Sequence, residues 1–502
     1  MKKYKKIYIP CVITLFTIIV IISIIFSLKK GKEIVYNEES DFYEAEDATL
    51  QKGVSISNHK NGYTGTGYVT GFEKDGDGVE FTIEVQKDGF YDLFFVIASM
   101  DGYKENNVTL DGEFIGSIAA NKETFEDYTL EKTYVSAGIH KVEFLKNWGW
   151  VHLDSLKVRE SSAMENDLYE VSSKLSNPNV DDHTKRLFQY LTDIYGTYTI
   201  AGQHSEGGFY GAEFQAIKKI TEKSPGLLGL DMIEYSPSRV ANGSTSTAIE
   251  KAIQFDELGG IVAFCWHWNA PEKYLYNSEK QPWWKGFYVE GSNINLANIM
   301  NGKDQEGYTL LLSDIDEIAV QLKRLQEAGV PILWRPLHEA SGGWFWWGAA
   351  GAEAYKKLYV LMYDRLTNYH GLNNLIWVWN GQDPGWYPGD EYVDIIGEDV
   401  YPGEKVYTSQ MAKFIKCRNV TKNNKLIAMT ENGCLMDPDL VYRDNNRWLF
   451  YMTWEGEFVV KNGLIIKYSQ QYSEQYMLEK VYQSEHVLTL DELPDLKNYG
   501  SK

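Results

Sequence analysis

Two glutamates stand out by type and setting: Glu339 in WRPLHEASGGWFWWG (residues 334–348) and Glu431 in KLIAMTENG (residues 425–433). Each closes an apolar, strand-like run with no lysine beside it to make a trivial ion pair. Two carboxyl groups brought face to face are what cleavage of a glycosidic bond requires, one as acid and one as nucleophile or base. The plain alternatives are helix caps or ion pairs with an arginine. Arg335 serves either view, by holding a carboxylate ionised or by tying the floor of the fold together. Three histidines, His204, His267 and His338, end similar runs and have the chemistry to ligate zinc, but H-E-x-x-H fails because Gly342 stands where the second histidine belongs. Hydrogen bonding to hydroxyl groups demands less coincidence of them. No G-x-S-x-G elbow is present. Trp344, Trp346 and Trp347 are hard to bury together; stacking on sugar rings fits such residues, with one or two of the three expected in the core.

The elements that must position these residues alternate between apolar, β-rich runs and amphipathic helical stretches. TYTIAGQH, GLLGLD, GIVAFCWH, PILWRPLHE, NLIWVWN, VDIIGEDVY, KLIAMTEN and WLFYMTW are the runs, and DIDEIAVQLKRLQEAG and AEAYKKLYVLMYDRLTNYH are two of the helices between them. Eight runs with intervening helices predict a (β/α)8 TIM barrel. The runs end at His204, Asp231, His267, Glu339, Asn380, Tyr401, Glu431 and Trp454. Buried parallel strands stay apolar to the end unless their C-terminal tips carry function, so these tips form one pocket and the two glutamates face each other across its mouth. Residues 42–159 read differently, as short alternating strands broken by Gly, Asp and Asn, and predict an all-β sandwich.

The chain has 502 residues, and 44% hydrophobic content marks it as globular throughout. A net charge of −21 repels phosphate backbones and excludes nucleic acid as a partner. Residues 7–28 carry no charge, are long enough to cross a bilayer, and lack the short apolar core and small-residue cleavage site of a cleaved signal. A signal anchor is expected, with a cytoplasmic tail, the rest of the chain outside the cell at its surface, and secretion as the outcome if the segment is cleaved. The division is 1–35 for tail and anchor, 36–160 for the sandwich and 161–502 for the barrel. Cys265, Cys417 and Cys434 read as buried free thiols, with Cys11 in the apolar run.

RPLHE with Trp344 following, WHWNAP, GEDVYP and MTENG together resemble glycoside hydrolase family 26, mostly β-mannanases, over residues 167–496. The resemblance implies a retaining endo-β-1,4-mannanase acting on mannan, glucomannan or galactomannan, with Glu339 as acid/base and Glu431 as nucleophile. It implies further that His267, His338, Trp344, Tyr401, Trp454 and Arg335 line the substrate cleft, that Tyr401 bonds the nucleophile, and that Trp283 and Trp284 extend the cleft. A β-glucanase, a β-1,3-xylanase and a non-catalytic polysaccharide-capture protein are the alternatives. FYEAEDATL, NGYTGTGYV and NWGWVHLDSLKV resemble a family 35 carbohydrate-binding module of jelly-roll type. By that resemblance Asn147, Trp148 and Trp150 form a sugar platform, and Glu44, Glu46 and Asp154 hold a structural calcium, a cation suited to hard oxygen donors. No cofactor is expected for catalysis, and a monomer is expected.

Overall fold

The computed structural model describes residues 41–461 and 466–500. The expected anchor lies outside them. Among the described residues no helix is long and apolar enough to cross a membrane.

Residues 41–161 fold as two antiparallel sheets packed face to face. Their strands alternate as sheets with one wet face do: in Gly78–Val85, Phe81, Ile83 and Val85 are buried while Thr82 and Glu84 are exposed. The inward side chains share a core with Leu93, Phe95, Val142 and Phe144. Asp41–Glu44 pairs antiparallel with Val151–Ser161 and sets Glu44 opposite Ser155. Residues from the two ends of this unit, Glu44 and Asp154, thereby become neighbours.

Eight parallel strands follow: β1 (Thr199–His204), β2 (Leu227–Asp231), β3 (Ile261–Trp266), β4 (Ile332–Pro336), β5 (Leu375–Trp379), β6 (Ile395–Val400), β7 (Leu426–Asn432) and β8 (Phe450–Thr453). They pair in chain order and close through β1, which bonds both β8 and β2. The expected barrel is present. Strands β3 to β7 are buried along their whole length, as parallel strands under a ring of helices must be. The helix Gln305–Glu327 presents Leu311, Ile315, Ile318, Leu322 and Leu325 to the core at three- and four-residue spacing, and the Asp304 carboxylate caps its start by accepting the Gly307 N–H at 2.8 Å. Residues 352–370, expected as one helix, are α-helical over Ala352–Tyr363 and widen to π geometry over Asp364–Tyr369, where Arg365 and His370 both bond Asp316.

The two units touch. The helix Met411–Arg418 lies against the sandwich strands Glu113–Ala120 and Glu126–Val135, and its Ala412 joins the sandwich core. Gly116 permits that approach, since a Cβ there would fall 2.9 Å from Ala412 Cβ. Beside it the Arg443 guanidinium covers the Tyr134 ring at 4.0 Å.

Candidate active site

The polar residues expected at strand tips do gather at the C-terminal mouth of the barrel, but most stand one to three residues past their strands. His204 and Asp231 end β1 and β2, Glu431 lies within β7, and the other five follow β3, β4, β5, β6 and β8. Glu339 is three residues beyond β4, and the chain reaches it through two left-handed residues, Leu337 at φ 54° and Glu339 itself at φ 53°. That conformation costs about 1–2 kcal/mol per non-glycine residue and persists because the surroundings impose it. The Glu339 N–H donates to the Asn380 carbonyl at 2.7 Å, and the His338 carbonyl accepts from Trp347 Nε1 at 2.8 Å.

A register break does the same service for Glu431. Glu398 of β6 pairs with Met429 of β7, and Asp399 pairs with Glu431, which leaves Thr430 as the extra residue of a bulge. In a regular strand consecutive side chains point to opposite faces. Here Thr430 and Glu431 both point inward: Thr430 Oγ1 donates to Asp399 Oδ1 at 2.7 Å, and Glu431 bonds Arg335. Glu398, on the other face, meets Lys413 and Lys416 of the outer helix.

Oxygens of Glu339, Asp399 and Glu431 lie within 4.8 Å of one another. Three carboxyl groups this close share one guanidinium. Arg335 donates through one terminal nitrogen to Asp399 Oδ2 at 2.9 Å and through the other to Glu431 Oε1. Tyr401 Oη completes Glu431 by donating to Oε2 at 2.6 Å, with its phenol kept protonated by burial and by the Glu431 charge. Asn380 Nδ2 donates to Asp399 Oδ1 at 2.7 Å, and burial still pushes Asp399 up to about 6 against the pull of Arg335. Glu339 has no cation of its own, only Trp344 Nε1 at 3.0 Å and the Gln382 amide at 3.5 Å. Burial, then the charges of Asp399 and Glu431, push it up to about 9. Glu339 therefore keeps its proton at neutral pH.

The tryptophans divide as their surroundings dictate. Trp346 and Trp347 are buried, with Nε1 of Trp346 bonded to the Trp268 carbonyl, while Trp344 is 45% exposed over Glu339. A Cβ on Gly342 would lie 2.0 Å from the Trp344 ring, which explains the glycine there. Trp347→Ala is expected to lower stability by about 3–5 kcal/mol and Trp344→Ala by less than about 0.5 kcal/mol, read from urea unfolding.

Residues 176–483 match the family model described as "Glycosyl hydrolase family 26", and residues 41–161 match "Carbohydrate binding module (family 35)". The chain belongs to glycoside hydrolase family 26. It is 41% identical to a mannan endo-1,4-β-mannosidase of Thermothelomyces thermophilus over 90% of both chains. It is 32% identical to mannan endo-1,4-β-mannosidase B of a Piromyces species, over 90% of this chain and 77% of the relative. A crystal structure of a Podospora anserina GH26-CBM35 β-(1,4)-mannanase superposes with a TM-score of 0.64 at 38% identity, covering 92% of this chain and all of the other.

In this family 26 hydrolase the remaining predicted residues surround a cleft of about 360 Å³ on the β1–β3 side, lined by His204, Asp231, His267, Trp284, Tyr288 and Trp454. Trp454 packs on His204 with ring centroids 4.7 Å apart. His204 is structural: its Nε2 meets the Thr430 carbonyl, and burial holds its pKa down to about 3. Trp283 lies over the Arg239 guanidinium and Trp284 is exposed at the rim. Asp231, Cys265 and His267 each bring one ligand atom within 4.8 Å of the others, and Asp231 Oδ2 meets His267 Nδ1 at 2.5 Å. Cys265, Cys417 and Cys434, the cysteines among the described residues, are buried and free.

In the module Trp148 and Trp150 are exposed and Tyr103 packs edge-on against Trp148, a residue the sequence reading missed. Asn147 flanks them, its N–H donating to Asn106 Oδ1. Asp399 and Gln382 were missed as well. Asp399 lies within GEDVYP without being singled out there, Gln382 carries no motif, and Asp231 was visible as a strand tip of the pocket and nothing more.

Proposed function

We propose that the protein is an endo-β-1,4-mannanase that works with retention through a glycosyl-enzyme intermediate. The observation that carries this reading is the unequal pair of glutamates: Glu431 clamped by Arg335 and Tyr401, Glu339 bonded by no cation among the described residues and pushed up to about 9, their oxygens within 4.8 Å. Retaining enzymes hold the two carboxyls roughly 5–5.5 Å apart, too close for a water between them. Glu431 attacks the anomeric carbon, the bond to the departing sugar oxygen breaks, and Glu339 gives that oxygen its proton. A water then attacks the same carbon, returns a proton to Glu339 and frees Glu431. His267, His338, Trp344 and Trp454 border the reacting sugar, and Arg335 holds Glu431 in place.

Mannan as the substrate is supported by the mannanases to which the chain is similar along most of its length. Glucomannan and galactomannan are the expected natural polymers. Incubated with these, with barley β-glucan and with β-1,3-xylan, the enzyme is expected to release reducing ends from the mannans alone. Proton NMR of the first product is expected to show the β-anomer before mutarotation. The α-anomer first overturns retention, release from β-glucan or xylan alone overturns the substrate, and silence on all four favours polysaccharide capture.

The module is proposed to bind the same polymer through Trp148, Trp150 and Asn147, which raises its effective concentration at the cleft. Calcium is proposed at Glu44, Glu46 and Asp154. Thr64 Oγ1 bridges Glu44 and Asp154 at 2.9 and 3.0 Å, and Glu46 Oε2 is buried without a partner among the described residues. Burial, with the neighbouring carboxylates adding to it, raises both Glu44 and Asp154, a repulsion that a divalent cation relieves. Chelation is expected to lower the unfolding temperature of the module and leave hydrolysis of a soluble mannan unchanged, checked by calorimetry beside activity. Tethering at the cell surface by residues 7–28 is part of the same proposal and rests on that run alone.

A further inference from the structure

Beside the carboxylate trio lies a second chain of ionisable groups. Asp231 Oδ1 accepts the backbone N–H of Ile233 at 2.8 Å and of His267 at 3.1 Å, and its Oδ2 meets His267 Nδ1 at 2.5 Å. Every group that bonds this carboxylate is a donor. Burial pushes Asp231 up, but His267 and these N–H groups together hold it below the ordinary carboxylate range. His267 therefore carries a proton on Nδ1. Its Nε2 lies 3.1 Å from His338 Nε2, and one of that pair must donate.

His338 settles which one. It is buried, and burial with Arg335 and both neighbouring imidazoles holds it well below its ordinary value, so it has a single proton. Its Nδ1 is buried with no hydrogen-bond partner among the described residues. A proton on Nδ1 would be an orphaned buried donor, costing about 1–3 kcal/mol. A proton on Nε2 leaves a bare acceptor there and makes the bond to His267. The consistent arrangement runs Asp231 carboxylate, His267 protonated on Nδ1, His338 protonated on Nε2.

We propose that Asp231 is a positioning residue of the active site, acting through His267 to orient His338 and so to seat the adjoining Glu339. The chain of bonds starts in the backbone of the β2–β3 end and finishes one residue from the proton donor. His338 is fixed from both sides, by its ring on His267 and by its carbonyl on Trp347. The carboxylate does not touch the two reacting carboxyls. Other charged groups around it, Glu206, Glu234, Arg239 and Glu455, line the same cleft but none bonds a histidine of the chain.

Asp231→Asn keeps the size and the acceptor for the two backbone N–H groups, but its amide turns a donor toward His267 Nδ1. His267 then takes the other tautomer, and two N–H groups face each other across 3.1 Å. The proposal rests on the hydrolase reading above, so the test has one arm that needs no substrate. Nitrogen-15 NMR of histidine-labelled native enzyme, with His267→Asn for assignment, is expected to show His267 protonated on Nδ1 and His338 on Nε2; the opposite tautomers overturn the proposal even if mannan is not the substrate. In the kinetic arm Asp231→Asn is expected to lower kcat on mannan about 100-fold with KM changed less than about threefold. Asp231→Asn is further expected to add less than about threefold to the loss caused by His267→Asn, since both cut the same chain. Losses that multiply, or an unchanged kcat in a folded Asp231→Asn, overturn it. Absence of mannan hydrolysis by the native enzyme sinks the functional reading and leaves the tautomers standing.

Discussion

Glu431→Ala is expected to reduce kcat on soluble galactomannan by a factor on the order of 10⁴ or more while the variant still binds the polymer. The size follows from what the side chain does. In the proposed mechanism it forms the bond to the anomeric carbon, and nothing else in the trio is placed to replace it: Asp399 is held by Arg335, Asn380 and Thr430. Binding survives because the aromatic lining and the module are untouched. Adding azide, small enough for the vacated space, should restore turnover and yield the glycosyl azide on the opposite face, the α-anomer. Hydrolysis at the native rate in Glu431→Ala would remove it as the nucleophile. Loss of polymer binding together with loss of turnover would instead indicate a collapsed cleft, since removing the acidic partner leaves the Arg335 charge buried beside Asp399 alone.

The second large effect concerns Glu339 and has a direction in pH. A general acid works only while it holds its proton. With its pKa pushed up to about 9, Glu339 is competent across the neutral range, and kcat is expected to fall as pH rises through about 9. Glu339→Gln is expected to abolish that alkaline limb and to lower kcat on mannan by roughly 10²–10⁴-fold. On an aryl mannoside with a good leaving group the loss of glycosylation rate should be far smaller, because such a group departs without a proton. Equal losses on both substrates would sink the assignment. The raised value has a visible source: Trp344 and Gln382 donate to Glu339, but no cation does, and Asp399 and Glu431 add like charge beside it.

Much of this was legible in the linear chain. The change from two-residue alternation before residue 160 to apolar runs separated by helical patterns marked the boundary between a sandwich and a barrel, because a sheet with one wet face and a sheet under helices bury different sets of positions. Polar residues ending eight apolar runs marked the mouth of the barrel, since a buried strand tolerates such a tip only where it has work to do. Glu339 and Glu431 were visible on the same grounds. The division of the three tryptophans was not, because WFWW has no period that separates a buried ring from an exposed one. It depends on where each ring lands: Nε1 of Trp346 and of Trp347 meets the buried backbone carbonyls of Trp268 and His338, whereas Nε1 of Trp344 meets Glu339 at the cleft.

What the sequence by itself determined is the architecture and the identity of the two glutamates, both set by local pattern and residue type. Why Glu339 keeps a proton, a role the family resemblance implied, was decided by tertiary structure. That depends on a bulge that turns Thr430 and Glu431 to the same side, on an arginine of β4 reaching carboxylates of β6 and β7, and on the burial that raises Glu339 and Asp399. Asp399 and Asp231 belong to the same category. Electrostatic coupling acts over a few ångströms in space, and residues 32 to 96 positions apart along the chain come within that range only when the barrel closes.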